Sequence, residues 1–68
     1  MAKSLRWTDI FDLAIALEEA HPETNITHIR FTDLWQMVLN LDGFSDTPDK
    51  SSEKILEAIQ VAWLDERD

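Results

Sequence analysis

The sequence predicts a mainly α-helical domain of three to four short helices with at most short extended segments. Three observations predict it. A Thr-Asp pair stands at Thr8-Asp9 and again at Thr32-Asp33, each beside apolar residues at helical spacing, and Ser52 to Glu66 is one long amphipathic run. The element order fits a small helical bundle or a variant winged-helix arrangement, and the pattern does not choose between them.

In the first helix Thr8 is expected to cap the opening N–H groups, with Asp9 and Asp12 at the positive end of the helix dipole. Ile10, Leu13, Ala14, Leu17 and Ala20 recur at helical spacing, while Asp12, Glu18 and Glu19 fall outside the stripe. Pro22 ends the helix by His21. From Glu23 to Arg30 the pattern changes: Ile26, Thr27, Ile29 and Phe31 suit a short extended piece.

The second helix is expected to start at Thr32-Asp33, to bury Leu34, Met37, Val38 and Leu41, and to close at Gly43, the sole glycine. Phe44 would fold back onto its apolar face. The link Ser45–Lys50 is turn-rich. Ser51 or Ser52 caps the last helix, whose buried face reads Ile55, Leu56, Ile59, Ala62, Trp63 and Leu64 against Glu53, Glu57 and Gln60.

Composition bounds the function. Sixty-eight residues make one small core, and 44% hydrophobic content with three Trp and three Phe offsets the ordering entropy that would leave an acidic tail unfolded. The tryptophans are expected in that core, with at most one left at a contact patch. Fourteen acidic against six basic residues give a net charge of −8, which repels phosphate backbones and attracts basic protein surfaces or cations. Absence of cysteine excludes disulfides, thiolate ligands and thiol nucleophiles. No catalytic triad or phosphate loop is present, so the chain reads as a binding protein and not an enzyme. The opening residues lack the apolar stretch of a secretory signal, and no apolar run reaches membrane-spanning length, so a cytoplasmic location is expected.

Asp42, Asp46, Asp49, Glu53 and Glu57 form the best local set of hard oxygen donors, suited to Fe²⁺, Mg²⁺ or Ca²⁺ and to weak binding. The frame Asp42–Glu53 is no calcium loop, because Phe44 takes a ligand position and Thr47 replaces the glycine of the sharp turn. Asp9 and Asp33 are read as helix-start residues. His21 and His28 share no helical face and are read as surface imidazoles.

Several blocks together resemble the IscX family, small acidic proteins of bacterial iron–sulfur cluster assembly. They are Arg6-Trp7-Thr8-Asp9, Arg30-Phe31-Thr32-Asp33, Leu41 with Phe44 and Pro48, Glu53-Lys54-Ile55-Leu56-Glu57-Ala58-Ile59, and Trp63-Leu64-Asp65-Glu66. The resemblance covers nearly the whole chain and implies a single winged-helix-like domain over residues 1–68. It also implies binding to the cysteine desulfurase IscS, weak iron binding through surface carboxylates, and modulation of cluster assembly at a site shared with bacterial frataxin. One departure stands out: the loop after the second helix is a denser acidic run in the family, and here Gly43, Ser45 and Thr47 interrupt it.

The partner-binding residues expected on this reading are Asp46, Asp49, Glu53, Glu57, Asp65 and Glu66. Two alternatives accompany it: an iron donor for cluster assembly, and a DNA-binding winged-helix module. Against the second stand only six basic residues, Lys3, Arg6, Arg30, Lys50, Lys54 and Arg67, scattered with no basic recognition helix.

Overall fold

The computed structural model describes residues 4–67. Met1 to Lys3 and Asp68, included in the expected domain, lie outside the described residues. The elements in order are α1 (Ile10–Ala20), a 3₁₀ turn (Ile26–His28), α2 (Phe31–Leu39), a second 3₁₀ turn (Pro48–Lys50) and α3 (Glu53–Arg67). Extended pairing among the described residues is limited to one parallel bridge between Leu5 and Phe44, and no wing hairpin is formed. The mainly helical expectation holds.

α1 starts one residue later than the Thr8 cap predicts. Residues 6–9 form a tight turn in which the Asp9 N–H donates to the Arg6 carbonyl at 3.0 Å, so Thr8 sits inside the turn. Asp9 holds the N-cap position, but its Oδ2 accepts the Arg6 N–H and bonds to no helical N–H. Leu13, Ala14 and Leu17 are buried as the stripe requires, Ile10 is half-buried, and Ala20 is exposed. The helix stops at Ala20, before Pro22.

The extended piece expected at Ile26–Phe31 opens instead as the first 3₁₀ turn. His28 and Ile29 donate backward to Asn25 and Ile26. A lone strand would leave its backbone groups without a ladder, and the turn satisfies them locally. Ile26 is buried, and its carbonyl accepts the Gln60 side-chain amide at 2.8 Å, tying the turn to α3.

α2 begins at Phe31, two residues before Asp33, because Arg30 is extended and its carbonyl already accepts the Leu34 N–H at 2.9 Å. Thr32 and Asp33 therefore lie within the first turn, where Asp33 still suits the dipole. The helix ends at Leu39, short of Gly43. Gly43, at φ 86°, serves the following turn, closed by Phe44 N–H to the Leu41 carbonyl. That turn aims the Gly43 carbonyl at the Leu5 N–H (2.8 Å) and the Ser45 N–H at the Leu5 carbonyl (2.9 Å). Phe44 meets Trp7 edge-to-face at 4.9 Å between ring centroids.

α3 is capped as expected at Ser52, whose Oγ accepts the Ile55 N–H at 3.3 Å. It packs chiefly on α1 and also against α2. Leu56, Ile59, Ala62 and Trp63 are buried; Leu64, expected with them, is 38% exposed. Complete burial of a Leu or Ile contributes about 1.5–3 kcal/mol, a contribution that Leu13, Leu17, Leu34 and Ile59, all at 0% exposure, each make to the core. Trp7 and Trp63 are buried with them, and Trp35 is half-buried. No helix among the described residues is long and apolar enough to cross a membrane.

Candidate functional site

The acidic residues singled out by sequence fall into three places. Asp46 belongs to the fold as much as to the surface. Its Oδ1 accepts the Thr47 N–H at 2.8 Å and its Oδ2 accepts the Trp7 N–H at 3.2 Å, so one carboxylate joins the turn to the N-terminal segment. The Trp7 indole N–H donates to the Thr47 carbonyl at 2.7 Å in the same joint. Hydrogen bonds from Thr47 and then Trp7 hold Asp46 below its ordinary aspartate value against a small loss of hydration, with Lys50 and Arg6 adding attraction. Lys50 Nζ stands 3.9 Å from Oδ1.

Asp49, Glu53, Glu57 and Asp65 are exposed along the second 3₁₀ turn and α3. Glu53 and Glu57 are one helical turn apart and share a face. Asp65 follows Val61 and Ala58 at helical spacing, on the side of α3 turned toward the start of α1. Glu66 is also exposed, but it stands seven residues after buried Ile59 and so falls on the core-facing line of α3 at the helix end, away from the face of Glu57. Asp42 lies elsewhere, in a shallow depression with Ala16, Glu19 and Leu41 against the later half of α1.

The five proposed oxygen donors are therefore not drawn into one shell. Among the described residues no group of three or more His, Cys, Asp or Glu is gathered so as to hold a metal ion. Carboxylates so dispersed build no coordination shell for a hard cation, which takes about six or more oxygens.

Sequence reasoning missed two features. Glu18, placed outside the apolar stripe, accepts both the Trp63 indole N–H and the Arg67 Nε–H at 2.9 Å. Arg67 also donates to the carbonyls of Thr24 and His21, and its guanidinium lies 5.7 Å from the Trp63 ring centroid. A tryptophan assigned to the core needs an acceptor for its N–H, and that requirement was the available signal. The second feature is apolar. Phe11 is 79% and Val61 53% exposed, and both line an open groove between α1 and α3.

A family model described as iron–sulphur cluster assembly matches residues 5–68. The chain belongs to this family, the IscX type. The matched span takes in all three helices and the acidic residues of the turn and of α3. An uncharacterized protein of Pseudomonas aeruginosa, PA3808, is 51% identical over 65 residues, covering 96% of this chain and 98% of that protein. The IscX-type assignment rests on the family match, since the relative's printed name states no activity.

Proposed function

We propose that the chain is a non-catalytic acidic adaptor of iron–sulfur cluster assembly that docks on the cysteine desulfurase IscS and modulates sulfur delivery. The observation that carries this reading is the row of exposed carboxylates Asp49, Glu53, Glu57 and Asp65 on a chain of net charge −8. Two of the cations that would offset it are engaged elsewhere: Arg67 by Glu18, and Lys50 beside Asp46. Such a surface speeds encounter with a basic groove and fixes orientation.

On this reading Asp46 holds the turn in place, Asp49, Glu53, Glu57 and Asp65 make the contacts, and Glu66 extends the acidic field at the helix end. Iron is cargo or regulator, attracted weakly by the exposed carboxylates Asp49, Glu53 and Glu57, without Asp42, which lies apart, or Asp46, whose oxygens accept from Thr47 and Trp7. Its binding reduces the negative charge and so lowers affinity for the desulfurase. A frataxin-like protein that uses the same basic groove competes with it. The adaptor works in the cytoplasm and needs neither nucleic acid nor membrane.

Calorimetric titration of the purified chain into the desulfurase, with and without Fe²⁺ and a frataxin-like competitor, tests the proposal. Expected are saturable binding, weakening with iron, and displacement by the competitor. Absence of binding in every condition overturns it. A submicromolar Fe²⁺ site in the isolated chain would favour an iron donor instead, a reading that the dispersed carboxylates do not support.

A further inference from the structure

A largely apolar groove lies beside the acidic row. Ile10 and Phe11 of α1 and Ala58, Val61 and Ala62 of α3 line an open groove of about 690 Å³, and the charged groups on its walls are Glu57, Asp65 and Lys54. The large apolar side chains left exposed among the described residues are Phe11 and Ile15 on α1 and Val61 and Leu64 on α3, and they belong to the two helices that form the groove. Nothing in the core requires Phe11 to face water: the stripe Leu13, Ala14 and Leu17 closes the helix–helix contact without it. A phenyl ring at 79% exposure on so small a domain marks a contact surface more readily than a structural one.

We propose that this groove receives an amphipathic helix of the partner, with apolar side chains seated between Phe11 and Val61 and lysine or arginine beside Glu57 and Asp65. The charge decides the occupant. Two carboxylates against one ammonium leave the walls negative within a chain of net charge −8. A second copy of the chain would bring another −8 to the same face, so self-association is opposed by like-charge repulsion. A groove between two helices accepts a third helix by its apolar stripe, and flanking basic residues supply orientation. The inference rests on the adaptor reading for the partner's identity. It adds that affinity is stored in an apolar contact, whereas the carboxylates govern the rate of encounter.

The test compares wild type, Phe11→Ser and Val61→Ser in binding to the purified desulfurase over a range of salt concentrations. Both side chains are more than half exposed, so circular dichroism and melting should match wild type. The expected result is affinity reduced about tenfold in each variant, through faster dissociation, with the slope of affinity against salt unchanged. Wild-type binding that survives both substitutions intact overturns the groove and leaves the adaptor reading standing. No binding by wild type overturns the adaptor reading itself. Sedimentation of the free chain supplies the other check: a dimer dispersed by Phe11→Ser would assign the groove to a second copy and overturn the proposed occupant.

Discussion

The indole N–H of buried Trp63 ends on the carboxylate of Glu18, 2.9 Å away and forty-five positions earlier in the chain. The same oxygen accepts Arg67, which in turn covers the carbonyls at the end of α1. One acidic side chain thus fastens the close of α1 to the last turns of α3. Replacing Glu18 with Leu leaves the Trp63 N–H without an acceptor inside the core, at a cost of about 1–3 kcal/mol. Urea unfolding followed by tryptophan fluorescence should show a lower midpoint with little change in slope.

Asp46 gives the fold an acid limit. Its folded-state pKa lies below its ordinary value of 3.8, so its contribution is complete above that pH and is lost as pH falls through the lowered value. Asp46→Asn should therefore lower Tm at neutral pH. Below pH 3.8 the wild-type Tm should fall toward that of the variant, narrowing the gap. Parallel Tm curves across that range would show that Trp7 and Thr47 do not depend on the charged carboxylate.

Gly43 is the one position with positive φ among the described residues. With φ at 86° it occupies a region that costs a residue with a Cβ about 1–2 kcal/mol. Gly43→Ala should destabilise by that amount and loosen the Leu5–Phe44 bridge. Faster amide exchange at Leu5 and Ser45, whose N–H groups form that bridge, is the specific readout.

Glu53 and Glu57 are exposed on one face of α3, and reversing them tests charge at a modest cost in stability, since Glu53 stands in the first turn of the helix. The double reversal Glu53→Lys, Glu57→Lys should slow association with the desulfurase about tenfold or more at low salt. Far-UV circular dichroism should remain that of wild type. A folded variant that associates at the wild-type rate would remove these residues from the contact.

Much of this architecture was legible from periodicity. The stripes Leu13–Ala14–Leu17 and Leu56–Ile59–Ala62–Trp63 were readable because a small core leaves a helix one face to bury. The Ser52 cap was readable because a hydroxyl before a long amphipathic run has a local task. The starts of α1 and α2 were misread by one or two residues, since Thr8 and Thr32 compete with backbone turns that only tertiary pairing selects. Ile26 to His28 went the other way for a related reason: a strand pattern without a neighbouring strand has nothing to pair with.

The site divided along the same line. Its acidic composition was plain, but spacing cannot tell that Asp46 is held by Trp7 from across the chain or that Asp42, in the turn after α2, sits apart against α1. Phe11 and Val61 fall outside both predicted apolar stripes, as their exposure bears out. That they line one groove depends on the crossing of α1 and α3, which no local pattern encodes.

If carboxylates on the turn and on α3 draw this chain to a basic enzyme surface, its association rate with the desulfurase must depend on ionic strength. The rate should fall steeply from low to high salt, because exposed charges are screened within about 10 Å at 0.1 M. A rate that stays constant across the series would contradict that attraction.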